Sequence, residues 1–512
     1  MDVSNGLTRS PSPLAHGNVR VSQAPVATFD DRHYGLAKPP HLKFHTVPPI
    51  QAHQHVFLND GNVKASGQSL WEHGYPSPLN QRLVLETGDQ ADQVHISQTH
   101  YGQLNIRVND QLYHFASHDK EGQALKFHLK THGGNDNVSI DANVMQPITI
   151  ETGDGDDWVR AGGGYTRVFG GNGNDVVRLG SGIGYAEGND GDDIIMGGPG
   201  DNVVYGNNGN DRLYAGAGPR HKKSYMDGGN GNDQLYAGNG HTVLQGGTGN
   251  DRLIGHDQTT FYTGIGADTV IANRPGDAIY AKASDTIKHL NGSVLTAVSA
   301  HDGPILGVVI NGSADFIQRV EDDLALLRTS PQGQQMLAEM EAVALRNGAP
   351  VTIVEDPSDT ESSYVYGSQE LKALLQDERA PVSDEDPKWG FMINGVPGSR
   401  ADRAQIHYNR SHLNVLAGVT QLPIVGLYHE MVHAYNAGNG TTFTGTTQED
   451  VEGQPHDIHN SERQAVGLPT TAQPFDFDND PATPPTASNP KAFTENALNK
   501  EMGRPLRKQY AG

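Results

Sequence analysis

The chain of 512 residues contains no cysteine. Disulfide staples, thiolate metal sites and thiol nucleophiles are therefore excluded, and any metal must be held by imidazole, carboxylate or carbonyl groups. Long apolar runs are missing too: no stretch approaches the roughly 18 consecutive apolar residues of a membrane-spanning helix. Positive charge is scarce, with 37 Lys and Arg against 60 Asp and Glu and a formal net charge of −23. Such a surface repels nucleic acid and anionic membranes and favours divalent cations. The first residues lack the charged start and apolar core of a secretory signal. That lack does not make the chain cytoplasmic, and freedom from cysteine suits a route that exports chains unfolded.

What is abundant is glycine, 62 residues beside only 35% hydrophobic ones. That balance points to a Gly-rich repeat and two or three domains rather than one uniform core. Residues 1–80 are expected to be a largely disordered export or targeting region, rich in Ser, Pro and His, with His53 and His55 as loop residues. Residues 81–272 read as strand-rich: RLVLETG (82–88), DQVHISQ (92–98), LNIRV (104–108) and KFHLK (126–130) alternate as strands do.

Within that region, GGNDNVSI (133–140) looks like an imperfect first coil of a repeat. Acidic Gly turns then end on Asp157, Asp175, Asp193, Asp211, Asp233, Asp251 and Asp268, at spacings of 18, 18, 18, 22, 18 and 17 residues. Inside each unit an apolar residue recurs every nine positions, from Val159, Val168 and Val177 to Leu213, and resumes at Leu235, Leu244 and Leu253 after an insertion around 219–224. The pattern G-G-x-G-x-D-x-U-x resembles the calcium-binding nonapeptides of RTX proteins and implies a parallel β-roll. Alternate half-turns carry Thr166, Gly184, Asn202, Ser224 and Thr242 in place of Asp. One flank is therefore expected to bind structural calcium, in up to six sites between the seven Asp turns, and the other not.

Residues 273–512 lose the Gly turns. ADFIQRVEDDLALLRTSPQGQQMLAEMEAVALRNG (314–348) reads as two amphipathic helices, with Phe316, Val320, Leu324 and Leu327 on one stripe, Leu337, Met340 and Ala344 on another, and Pro331 opening the second. VTIVED (351–356) and AQIHYN (404–409) read as strands, the latter expected at a sheet edge where an extended substrate would pair. LPIVGLYHEMVHAYN (422–436) reads as a buried helix opened by Pro423 and stopped by Gly438. On it His429 and His433 lie one turn apart and share a face, so both imidazoles can grip one zinc ion while Glu430 points at water.

Catalytic zinc takes a third protein ligand. No His stands six residues beyond His433, because position 439 is Asn. The best candidate is Glu462 in HNSERQAVGLP (459–469), on a short helix capped by Asn460 or Ser461 and ended by Gly467. Glu449, Glu452, His456, Asp457 and His459 are its rivals.

HEMVHAYN, SERQAVGLP and TENALNKEMGRPLRKQY (494–510), in that order, resemble the peptidase domain of the NleD-type zinc metallopeptidases, type III effectors of Gram-negative pathogens. The resemblance spans about 300–512. It implies that Arg507 and Tyr510 form an Arg-x-x-Tyr element; on chemical grounds these two are expected to stabilise the oxyanion, and Glu495 is the candidate to orient a zinc-bound imidazole. The resemblance further implies secretion, delivery into host cytoplasm, a secretion chaperone, and a host protein as substrate, with mitogen-activated protein kinases as one target. The expected architecture is multidomain: an RTX-like parallel β-roll followed by an α+β zincin-like metallopeptidase domain. Two other readings fit the sequence less well. One is a calcium-stabilised adhesion protein with a degenerate peptidase domain. The other is a type I secreted exoprotease, whose repeats usually follow the catalytic domain.

Overall fold

The computed structural model describes residues 51–71, 80–100, 102–118, 122, 124–299, 303–356, 360–371, 385–416, 419–451 and 453–510. Most of the export region expected over 1–80 lies outside these residues. They fall into two compact units, one over 49–259 with 270–274 and the other over 260–269 with 275–512. No helix among them is long and apolar enough to cross a membrane.

In the first unit the nine-residue period becomes a two-layered parallel solenoid. Short strands Trp158–Arg160, Val176–Arg178, Ile194–Met196, Arg212–Tyr214, Gln234–Tyr236 and Arg252–Ile254 pair in register one coil apart. Longer strands, including Thr166–Asn172, Gly184–Asp190 and Asn202–Asn208, form the facing layer. The apolar residue at the centre of each strand points between the layers: Val159, Val168, Val177, Ala186, Ile195, Val204 and Leu213 are all fully buried. Met226 fills the slot the insertion displaces, pairing with Val204.

The roll begins earlier than its sequence signature. Strands Gln51–Asn59, Lys64–Trp71 and Asn80–Glu86 form an antiparallel series. The last of these joins Lys126–Lys130 in parallel, and a meander of Gln93–Gln98, Gln103–Val108 and Gln111–Ala116 caps the other layer. An open solenoid end needs such a cap to bury its last apolar layer. The expectation of disorder up to residue 80 is therefore wrong for 51–71, and His53 and His55 stand exposed on a strand rather than a loop. Their strand leaves Val56 and Phe57 exposed and is held by backbone pairing to Lys64–Trp71.

The second unit opens with further coils beyond the expected boundary at 272. Strand Ala278–Ala281 pairs in parallel with Thr260–Tyr262 on one side and Val294–Ala297 on the other. A four-stranded sheet follows, in the order Val308–Asn311, Val351–Glu355, Gln405–Tyr408, Ser363–Val365. Helices α1 (Ala314–Thr329) and α2 (Pro331–Asn347) match the sequence reading. Ser313 and Ser330 cap them, through Oγ atoms that accept the amides of Phe316 and Gly333. Helix α3 (Pro423–Asn439) is buried on every face against α2, two strands of the sheet, α4 (Asn460–Val466) and α5 (Glu495–Glu501).

Two sequence expectations fail here. Gln405–Tyr408 is an interior strand, parallel to Val351–Glu355 and antiparallel to Ser363–Val365, so Ser363–Val365 holds the edge. Gly438 does not stop α3, which runs one residue further to a left-handed Gly440 at φ 70°. Gly438 is instead a close-packing point, where a Cβ would sit 2.5 Å from Val343 Cγ1 on α2.

Candidate metal centre

Helix α3 can bury polar side chains because its other residues repay their desolvation. Ile424, Leu427 and Met431 are at most 1% exposed, and burying such a side chain contributes about 1.5–3 kcal/mol. His429 and His433 project from it toward Glu462 on α4. His429 Nε2 and His433 Nε2 each lie 3.3 Å from Glu462 Oε2, and 3.2 Å from one another. Among the described residues these three form the group of His and acidic side chains able to hold a metal ion. The triangle has the right size: tetrahedral ligands about 2.1 Å from an ion stand roughly 3.4 Å apart.

Glu495, at the start of α5, completes the support. Its Oε2 accepts a hydrogen bond from His429 Nδ1 at 2.9 Å and one from Arg507 Nη1 at 2.8 Å. An ionised carboxylate only accepts, so the proton sits on Nδ1 and leaves the Nε2 lone pair for a metal. Burial alone would raise the Glu495 pKa, but Arg507 and His429 outweigh it and hold the group below the ordinary carboxylate range. Burial would likewise lower His429, yet Glu462 and Glu495 overcome it and push the imidazole up to about 10. The cation these carboxylates call for is a proton only while no metal sits at Nε2.

Glu430 occupies the neighbouring wall of a cavity of about 230 Å³, which His429, Arg507, Tyr510, Glu361 and Ser362 also line. Burial first, then the charges of Glu462, Glu361 and Glu495, raise its pKa well above normal against the pull of His429. A carboxyl whose proton affinity is raised in this way is suited to general acid–base work.

The C-terminal segment reaches the same place. The Arg507 guanidinium lies 5.0 Å from the Tyr510 ring centroid, and that ring lies 6.3 Å from His429. Arg507 also donates to the Tyr510 carbonyl. The tail is tied down by Glu449, whose two carboxylate oxygens accept the Tyr510 amide at 3.0 and 2.8 Å while Arg463 pairs with it. Burial raises the Tyr510 phenol well above its usual value, keeping it a donor.

The structure thus gathers His429, Glu430, His433, Glu462, Glu495, Arg507 and Tyr510. Of the rival ligands, Glu449 holds the tail, His456 and Asp457 are exposed on a hairpin, and His459 is half-buried near Glu385 at 3.9 Å. Glu452 lies outside the described residues. The α4 cap differs from expectation: His459 is the N-cap and makes no capping bond, whereas Gly467 ends the helix at φ 88° as foreseen. Sequence reasoning missed Glu449 as the tail's anchor and Glu361 as a cavity wall. No motif signals either.

A second, separate set of acids lines the roll. Asp136, Asp157, Asp175, Asp193, Asp211 and Asp233 each accept, through Oδ1, the backbone amide of the aspartate one coil earlier at 2.7–2.8 Å, Asp92 being the first donor. Their Oδ2 atoms are buried and find no partner among the described residues. At Gly206 a Cβ would lie 2.1 Å from Asp211 Oδ2 and 2.4 Å from Gly228 O, and Gly170, Gly188 and Gly228 repeat the arrangement. Carboxylate and carbonyl oxygens therefore converge on one cradle per coil, the donor set a calcium ion requires. Burial lifts Asp136 to about 6, Asp175 and Asp233 to about 7, Asp193 to about 8 and Asp211 to about 9. Asp136 extends the row before the seven residues found by sequence. Asp251 Oδ1 accepts the Asp233 amide at 2.9 Å, and Asp268 closes on Lys282.

Two family-model matches support the reading of this chain as a peptidase-type effector with calcium-binding repeats. Residues 306–510 match the Peptidase_M91 family model, described as effector protein. Residues 149–185, 187–219, 225–244 and 236–270 match the RTX calcium-binding nonapeptide repeat. No curated protein and no solved structure matches the chain significantly.

Proposed function

We propose that the chain is a secreted zinc-dependent endopeptidase that cuts a protein inside a host cell. The observation that carries this reading is the convergence of His429, His433 and Glu462 on one point beside a cavity walled by Glu430. A zinc ion held by those three residues would polarise the scissile carbonyl and lower the pKa of water. Glu430 accepts a proton from the attacking water and delivers it to the leaving amine. Arg507 and the Tyr510 hydroxyl donate to the oxygen on which negative charge develops, a contact class contributing about 3 kcal/mol per donor. Glu495 keeps His429 in one tautomer. Glu361 and Ser362, which line the cavity just before strand Ser363–Val365, are placed to meet an extended substrate.

The effector description of the matched family and the RTX repeats support export, and the absence of cysteine supports passage unfolded. Type III delivery with a chaperone, a host kinase as substrate and structural calcium in the roll remain parts of the same proposal. The test is metal analysis of the purified chain together with proteomic cleavage mapping in cells making wild type or Glu430→Gln. The expected result is about one zinc per chain in both proteins and new cleavage sites with wild type alone. No zinc in wild type, or undiminished cleavage by the variant, would overturn it.

A further inference from the structure

The acid row of the roll ends differently from how it runs. Along Asp175, Asp193, Asp211 and Asp233, each Oδ2 faces a Gly carbonyl of the next coil and has no hydrogen-bond partner among the described residues. At Asp268, in the second unit, the corresponding place is taken. Lys282 Nζ donates to Asp268 Oδ2 at 3.1 Å and to the Gly264 carbonyl, with Asp285 Oδ1 at 3.5 Å. An ammonium has three donors, and here it finds one carbonyl and two carboxylates. The Asp268 and Asp285 side chains are fully buried and that of Lys282 is 16% exposed.

Asp285 continues the row in its own way: its Oδ1 accepts the Asp268 amide at 3.2 Å, while its Oδ2 accepts the Lys282 amide at 2.7 Å and the Thr263 hydroxyl at 2.6 Å. An ion-free cradle is filled from within elsewhere in the roll too. On the flank without aspartate, the buried Lys222 ammonium donates to the carbonyls of Gly198, at 2.6 Å, and of Ala215 and Gly216.

We propose that Lys282 replaces calcium at the last cradle, so that the coil on which the metal-site helix α5 is seated keeps its shape without calcium. That seating is visible within the second unit. Tyr262 Oη donates to Glu501 Oε1 at 2.9 Å, Thr260 Oγ1 to the Met502 carbonyl at 2.9 Å and Tyr280 Oη to the Glu501 carbonyl at 3.3 Å. Glu501 closes α5, the helix whose first residue is Glu495. A calcium ion at Asp268 would leave this support hostage to the ion. A tethered ammonium removes that dependence, because a side chain cannot be diluted away or chelated. Sites of ordinary extracellular affinity, roughly 10⁻⁴–10⁻³ M, would empty in a calcium-poor compartment, and the last coil would persist there.

The full chain tests this by calcium stoichiometry and by hydrogen exchange. Lys282→Gln should bind an additional calcium equivalent relative to wild type. In wild type, chelation should cost protection in 166–208 but leave 260–281 unchanged, and Lys282→Gln should make 260–281 calcium-dependent. Loss of wild-type protection over 260–281 on chelation, or an unchanged stoichiometry in a folded Lys282→Gln, overturns the proposal. The wild-type exchange result decides alone if the variant does not fold. Wild type that binds no calcium at any cradle would sink the calcium-binding reading of the whole roll and this proposal with it. The zinc site is untouched by either outcome.

Discussion

Glu495 Oε2 stands 2.9 Å from His429 Nδ1, on the side of the imidazole away from Glu462. The same oxygen takes Arg507 Nη1 at 2.8 Å, so one carboxylate links the metal helix to the C-terminal tail. Loss of such a partner typically lowers metal affinity 10–100-fold. Glu495→Gln, which keeps the shape and discards the charge, should weaken zinc binding about that much in competition with a chromophoric chelator. Unchanged affinity would show that His429 is oriented by packing alone.

The site was legible in the sequence wherever its geometry is local. His429, Glu430 and His433 follow from helical spacing, and the roll from a nine-residue period. Glu462, Glu495, Arg507 and Tyr510 came from ordered motifs and resemblance, and the structure gathers them around His429, with Arg507 and Tyr510 on the cavity wall and Glu462 and Glu495 against the imidazole. What escaped depends on contacts distant in sequence. No local pattern tells whether Gln405–Tyr408 lies inside a sheet or at its edge, since strand order is set by topology. Gly438 looks like a stop but serves α2, whose Val343 occupies the space a side chain would need. Asp285 and Lys282 follow no Gly turn, and strands 51–71 lack an apolar stripe, so neither betrays itself.

Tyr510 should matter to turnover and little to metal binding. Its hydroxyl stays protonated because burial raises its pKa, and it lines the cavity beside Glu430. Removing one oxyanion donor commonly costs about 10²–10³ in kcat. Tyr510→Phe should fall by that factor in kcat, with KM and zinc content near wild type. A KM effect with kcat intact would assign the residue to substrate binding instead.

Gly438→Ala sets two known effects against one another. Ala is favoured over Gly within a helix by about 1 kcal/mol. Its Cβ, however, would meet Val343 Cγ1 at 2.5 Å and Cγ2 at 3.1 Å. Overpacking of this kind costs about 1–3 kcal/mol, and a branched side chain on a buried helix face has little room to turn. The net expectation is destabilisation by about 1 kcal/mol, seen as a lower denaturant midpoint. Gly438→Ala with Val343→Ala should recover part of the clash, and a stabilised single variant would mean that α2 shifts freely.

The calcium-free roll should become less stable as pH rises. An unfolded aspartate titrates near 3.9. In the folded roll burial keeps protons on Asp175 and Asp233 up to about 7, on Asp193 to about 8 and on Asp211 to about 9. Between these limits the folded chain binds more protons than the unfolded one, so stability falls with pH. The contribution is complete below about pH 4 and disappears through pH 7 to 9. Calcium reverses the trend, since it binds the ionised carboxylates and its affinity grows as their protons leave. Thermal melts followed by circular dichroism in chelator should give a higher Tm at pH 5.5 than at pH 8.5, and saturating calcium should raise Tm most at pH 8.5. A chelated roll that is more stable at pH 8.5 would mean that these carboxylates are already ionised without the ion, in cradles open to water.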